Sequence, residues 1–267
     1  MSHPLTITPR GKPLGRLYCR ASRLWRACRS AAVNMVFPPV CPFCSLEFQP
    51  AGFTPELCPN CVARLVLDNV VFCPRCGNRR PAGAGAAPDC PRCRGQRLPV
   101  DAVVPLGLYQ AEMRRAVVRM KQLREQALAA AVGGLMAQRL GPGLAARSPD
   151  LATAVPKHWL RRLRLGTNSA EILMESLAER LGLPACGDLL RCRRKTKKQG
   201  MLAVGERALN VRGAFHVAAG YDLRGTHVLL IDDILTSGAT ASEVARVLKK
   251  AGAVRVTVAV AARAVAR

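Results

Sequence analysis

The chain of 267 residues is 49% hydrophobic and 4% aromatic, enough for one sizeable domain with an aliphatic core plus something smaller. Its 41 Lys and Arg against 17 Asp and Glu give a formal net charge of +24, which points to polyanions as partners, whether phosphorylated small molecules, nucleic acid or an anionic membrane surface; Arg used wherever a solvated cation will do accounts for the same number. No signal peptide or membrane span is expected, because residues 31–37 are broken by Asn34 and stopped by Pro38 and Pro39, and the apolar run 127–137 is too short to cross a bilayer.

Residues 1–13 carry Pro4, Pro9 and Pro13 among polar neighbours and are expected to form a disordered basic tail. Over 14–37 a basic amphipathic helix is predicted, with Leu17, Ala21, Leu24, Trp25, Cys28 and Ala32 on one face and Arg16, Arg20 and Arg23 opposite. Contact with DNA or lipid and simple packing on the next domain suit this helix equally well.

Twelve cysteines occur, and eight of them fall in C-x2-C pairs. Cys41 and Cys44 are followed after thirteen residues by Cys58 and Cys61, and Cys73 and Cys76 are followed after thirteen by Cys90 and Cys93, so the set repeats with a period of 32. Each C-x2-C lets two sulfurs converge from one tight turn, and thiolate pairs at this spacing favour metal over disulfides, hence a reducing, cytoplasmic compartment. Residues 38–98 are therefore predicted to be a double zinc ribbon holding two structural zinc ions, each on four thiolates, with no open position for zinc chemistry. A cross-braced pairing, with Cys41 and Cys44 joining Cys73 and Cys76, is open at this point. Cys19, Cys28, Cys186 and Cys192 are expected to be packing residues.

The remaining 99–267 read as an α/β domain. A strand is expected over 102–108, then helix from Glu112 to Leu140 with a break near Gly133 and Gly134, closed by Pro142 and Gly143. A second strand is expected over 151–155 and a helix over 168–181. In residues 228–240, VLLIDDILTSGAT, the unalternating apolar run 228–231 suits a strand buried on both faces of a parallel sheet. Asp232 and Asp233 follow at its carboxyl end, where open α/β sheets bind ligands, and then a turn of hydroxyls and small residues opens a helix. An ordinary strand-to-helix turn capped by Asp and Thr is the plainer alternative.

This stretch resembles the phosphoribosyl pyrophosphate signature of type I phosphoribosyltransferases. The resemblance implies that Asp232 and Asp233 hold the ribose, while Thr236, Ser237, Gly238, Ala239 and Thr240 wrap the 5-phosphate. The order of units is similar to the ComF family, in which a cysteine module precedes a phosphoribosyltransferase domain. Its P-x-P-x-H-x-x-R-x-x-x-R-G-F-N-Q block appears as AVPKHWLRRLRLGTNSA, keeping Pro156, His158, Arg161, Gly166 and Asn168, with Ala154, Leu165, Thr167 and Ser169 where the family has Pro, Arg, Phe and Gln. A later block keeps Thr196, Gln199, Leu202, Glu206, Arg207, Asn210 and Phe215, and residues 106–110 with Lys121 approximate the family's Tyr-Gly strand end and Lys-bearing helix. The fold implied is that of a type I phosphoribosyltransferase, a central mostly parallel sheet, using magnesium with phosphoribosyl pyrophosphate.

The cations for the departing pyrophosphate are expected from Lys157, Arg161 and Arg162 after the second strand, and from a flap that includes Arg193 and Lys195 within the basic run 191–198. The same run suits a DNA backbone, and ComF members are associated with uptake of single-stranded DNA. Two functions are thus carried forward. One is a phosphoribosyltransferase of unassigned acceptor, linked to DNA uptake. The other is a non-catalytic single-stranded nucleic-acid-binding competence protein that uses the sugar-phosphate site for regulation, acting with other competence or DNA-uptake proteins.

Overall fold

The computed structural model describes residues 39–50, 56–81, 90, 93, 98–158, 168–194, 196 and 203–264. The expected tail and amphipathic helix, and Arg161, Arg162 and Lys195, lie outside these residues.

Two small cysteine units come first, and the 32-residue repeat of the sequence is a repeat of hydrogen bonds. Cys41 N bonds Leu46 O and Ser45 N bonds Cys41 O; 32 residues on, Cys73 N bonds Asn78 O and Gly77 N bonds Cys73 O. The antiparallel bridges Val40 to Glu47 and Phe72 to Arg79 repeat with the same period. Helix α1 (Pro59–Leu65) belongs to the first unit, carrying Cys61 of its second C-x2-C pair, and buries Cys61 and Leu65.

Behind these units stands a four-stranded, wholly parallel sheet of strands β1 (Ala102–Leu108), β2 (Leu151–Ala154), β5 (His227–Leu235) and β6 (Arg255–Arg263), in the order β1-β6-β5-β2. Side chains alternate across a strand, and here both faces are covered. Leu229 and Ile231 pack with Ala152, Ala154 and Ala259 against helices α2 (Ala111–Arg119), α3 (Gln126–Ala145) and α4 (Ser169–Leu181). Val228 and Leu230 pack with Val256 and Val258 against α6 (Ala239–Lys250), through Val244, Ala245 and Leu248. This double coverage is why residues 228–231 show no polar alternation. On the α6 side, helix α5 (Val204–Val211) and an antiparallel pair, β3 (Leu190–Cys192) with β4 (Phe215–Val217), complete the fold.

The predicted break near Gly133 and Gly134 is not there. Helix α3 runs unbroken through both glycines and on through Pro142 to Ala145, so Pro142 and Gly143 do not close it either. The glycines serve close packing: a Cβ on Gly133 would sit 2.7 Å from Ser176 Cβ and 3.0 Å from Leu173 O, so only glycine lets α3 lie this close to α4. The break falls instead after Arg119, where Gln122 is extended, a short 3-10 turn covers Leu123–Glu125, and an Arg119–Glu125 ion pair at 2.9 Å closes the loop.

Candidate functional site

The acid pair lies inside β5 rather than beyond it, because the strand continues to Leu235. Asp233 extends the Leu229 and Ile231 row toward α4 and is 6% exposed. A carboxylate so buried needs partners, and two are in place: the hydroxyl of Ser169, first residue of α4, donates to Asp233 Oδ2 at 2.9 Å, and Lys121 Nζ lies 3.5 Å from the same oxygen. Asp232 Oδ1 accepts the amide of Asp233 at 2.8 Å and is otherwise the more open acid. Burial and the neighbouring Asp233 charge push its carboxyl up to about 7, against the opposing pull of the Asp233 amide, Lys121 and Lys157.

Lys157 follows β2, and its Nζ reaches Ser169 Oγ at 3.5 Å, so two lysines face one acid pair. Asn168 donates Nδ2 to Val155 O at 3.2 Å, which ties the start of α4, and so Ser169, to the end of β2.

After Leu235 the chain turns through Thr236 and Ser237 to Gly238, the residue before α6, at φ +84. A left-handed residue is needed for strand to enter helix here, and glycine adopts it without strain. Ser242 N bonds Gly238 O at 2.8 Å, and Ser237 Oγ accepts the Ala239 amide at 3.4 Å; Thr240 lies in the first turn of the helix. Beneath the turn is Arg263 of β6, 2% exposed, whose Nη1 donates to Leu235 O at 2.8 Å, to Ala264 O at 2.9 Å and to Thr236 O. Two carbonyls of the turn, those of Leu235 and Thr236, are thus held by one buried cation. A cleft of about 560 Å3 touches Ser237, Gly238 and Ala239 and is lined also by Leu98 and Cys76; neither acid lines it.

Arg193 stands apart from this cluster in the fold. It follows β3, is exposed, and its amide donates to Ala214 O at 2.8 Å.

The eight cysteines form two clusters, Cys41, Cys44, Cys58 and Cys61, and Cys73, Cys76, Cys90 and Cys93, each with its sulfurs within 4.8 Å of one another. The pairing is thus sequential and the cross-braced alternative is set aside. Sulfur separations of 3.7 Å for Cys44 and Cys58, and 3.8 Å for Cys73 and Cys93 and for Cys76 and Cys90, match the ~3.8 Å edge of a tetrahedron with zinc–sulfur bonds of ~2.3 Å. Burial raises the Cys41 thiol, but amide donors from Cys58, Cys44 and Phe43 outweigh it and bring it down to about 7, whereas burial and the neighbouring sulfurs raise Cys61 of the same cluster. All described cysteines are free of disulfides.

A double zinc ribbon domain family matches residues 32–96, and a phosphoribosyl transferase domain family matches residues 167–267. The DNA utilization protein YhgH of Salmonella typhi is 32% identical over 207 residues, 76% of this chain and 88% of that protein. The chain belongs to the ComF family. Competence protein F of Haemophilus influenzae, 24% identical over 200 residues, shares 73% of this ComF chain and 85% of its own. Among solved structures, the glutamine phosphoribosylpyrophosphate amidotransferase of B. subtilis is similar at 23% identity with a TM-score of 0.36, over 51% of this chain and 26% of that one.

This member is a phosphoribosyltransferase-like protein with two four-cysteine clusters that fit zinc ribbons, and among the described residues no helix is long and apolar enough to cross a membrane. Sequence reasoning singled out the acids, the turn and Lys157, but it did not bring Lys121 or Ser169 to Asp233, nor Arg263 beneath the turn. Ser169 figured there only as a departure from the family's Gln. The structure gives it a role of its own, as donor to the buried acid.

Proposed function

We propose that this ComF protein binds phosphoribosyl pyrophosphate with magnesium at the carboxyl edge of β2 and β5 and transfers the phosphoribosyl group. The observation that carries this reading is the convergence of Lys121, Lys157 and Ser169 on the acid pair at the head of a turn that enters a helix through Gly238. Asp232, the open acid, accepts the ribose hydroxyls. Asp233 acts one layer back, holding Ser169 and Lys121 and adding negative charge beside Asp232. The 5-phosphate takes the amides and hydroxyls of Thr236, Ser237, Gly238, Ala239 and Thr240. Lys157 faces the departing pyrophosphate; Arg161, Arg162 and Lys195, outside the described residues, and Arg193, which stands apart from the acids in the fold, are the further cations proposed for it. Magnesium, if held with the ligand at the Asp232 edge, would supply positive charge that stabilises the leaving pyrophosphate. Asp233, with Asp232 once it is ionised, balances the positive charge that develops on the ring.

The two zinc ions are structural, and a reducing, cytoplasmic setting suits eight thiols held for metal. The test is calorimetric titration with magnesium and phosphoribosyl pyrophosphate. Wild type is expected to bind, and the double substitution Asp232→Asn, Asp233→Asn to abolish binding; if binding survives the substitution, the site assignment is wrong.

A second reading, single-stranded DNA binding in concert with other competence or DNA-uptake proteins, is favoured by exposed Arg191, Arg193, Arg194 and Arg212 around the β3–β4 pair, and by the names of the relatives. Such binding is expected to weaken steeply with salt and with replacement of these arginines by Gln. Affinity indifferent to both would remove this reading.

A further inference from the structure

The first zinc ribbon packs on the phosphoribosyltransferase-like domain through Phe43, Leu57 and Leu65 and through an Arg64–Glu112 ion pair, and a further side chain links its metal-binding turn to the acid pair. Arg119, the last residue of α2, donates Nη1 to Phe43 O at 2.6 Å and Nη2 to Pro42 O at 2.9 Å, and its guanidinium lies 5.4 Å from the centroid of the Phe43 ring. Pro42 and Phe43 are the two residues between the metal-ligand pair Cys41 and Cys44. Their carbonyls are therefore held in place from both sides by the sulfurs of the first cluster. The other edge of the same guanidinium takes Glu125, with Nε to Oε1 at 3.0 Å and Nη2 to Oε2 at 2.9 Å.

Arg119 and Glu125 bracket a short loop, and Lys121 is in it. From that loop Lys121 Nζ reaches to 3.5 Å from Asp233 Oδ2. A planar, always-charged fork can hold two carbonyls and a carboxylate at once, which an ammonium on a flexible stem cannot reproduce. One half-buried side chain thus connects the first zinc turn, the 120–125 loop and, through Lys121, the acid pair.

We propose that Arg119 is a positioning residue that couples the first zinc ribbon to the sugar-phosphate site by fixing the loop that presents Lys121 to Asp233. The proposal rests on the acid pair being that site. Arg119 touches no substrate in this scheme; it acts through Lys121. When the first cluster is metal-loaded, the Pro42 and Phe43 carbonyls are a rigid anchor. When it is stripped, four thiols with little core of their own no longer define that turn, and the loop loses one of its two fixed ends.

The experiment compares the full chain with Arg119→Gln, Arg119→Lys, Lys121→Met and the double variant Arg119→Gln, Lys121→Met, using zinc content, hydrogen–deuterium exchange and calorimetry with magnesium and phosphoribosyl pyrophosphate. Arg119→Gln is expected to keep two zinc ions per chain, to exchange faster over 120–125, and to bind roughly 3- to 30-fold more weakly. Arg119→Lys, which keeps the charge but not the fork, is expected to fall between, and it serves if the Gln variant does not fold. The double variant is expected to bind no more weakly than Lys121→Met alone, and zinc-stripped wild type to show the same fast exchange over 120–125. Faster exchange confined to 39–48, or Arg119 and Lys121 effects that multiply, would overturn the coupling. The exchange readout needs no ligand, so a wild type that fails to bind phosphoribosyl pyrophosphate would refute the sugar-site reading while the coupling itself was still decided.

Discussion

Replacing Asp232 by Asn is expected to stabilise the ligand-free protein while removing its affinity for phosphoribosyl pyrophosphate. Burial and the adjacent Asp233 hold the Asp232 carboxyl at about 7 against an ordinary 3.8, so the fold prefers the neutral acid. For an acid whose folded value is raised, the stabilisation is complete below the unfolded value and is lost as pH rises through the folded one. Wild type therefore loses stability from about pH 4 up to about pH 7, and above that the penalty is constant. The full shift corresponds to about 4 kcal/mol, an upper bound because the carboxyl is partly open to water. Asn has the shape of the neutral acid, can still accept the Asp233 amide, and does not titrate. Its advantage is expected to grow by about 1 kcal/mol between about pH 6 and pH 8. Urea unfolding of both proteins at several pH values measures this difference directly, and calorimetry measures the binding lost. An Asn variant less stable than wild type at pH 8, or an advantage that does not change with pH, would refute the account of this acid.

Replacing Gly133 by Val forces a side chain into a 2.7 Å gap against Ser176 and is expected to cost about 1–3 kcal/mol, read as a lower urea midpoint; an unchanged midpoint would mean that α3 and α4 are not packed this closely. Arg263→Met leaves the carbonyls of Leu235 and Thr236 without their donor and is expected to cost about 1–3 kcal/mol and, if the 236–240 turn holds a phosphate, to weaken phosphoribosyl pyrophosphate binding, whereas Arg263→Lys recovers part of both. Metal analysis is expected to find two zinc ions per chain, and chelation to remove exchange protection over 39–48 and 71–80; fewer than two ions would contradict the double-ribbon assignment.

What the sequence makes legible here is local. A period of 32 in cysteine spacing is also a period of 32 in backbone hydrogen bonds, because a four-thiolate turn leaves the chain few ways to close. Strand β1 keeps its predicted limits because its apolar run ends at a polar Tyr-Gln pair. Glycine's low helix propensity predicts a break at Gly133 and Gly134, but tertiary packing overrides it: Gly133 is needed for close approach, and the break falls at 120–125, a loop spanned by the Arg119–Glu125 ion pair. Asp232, Asp233 and the turn were legible because strand, acids and turn are contiguous. Lys121, Ser169 and Arg263 were not, since each reaches the site from a different element far along the chain. Arg263 is further masked by its setting, a single cation ending the apolar strand β6, where nothing in residue spacing signals that it supports a turn 27 residues earlier.

Whether residues 232–240 hold a phosphoribosyl group is decided most directly by a crystal structure of the zinc-loaded protein with magnesium and phosphoribosyl pyrophosphate. The 5-phosphate is expected against the amides of residues 237–240, the ribose hydroxyls on Asp232, and the pyrophosphate facing Lys157. A ligand seated instead in the cleft between Gly238 and Cys76, away from both acids, would contradict this placement.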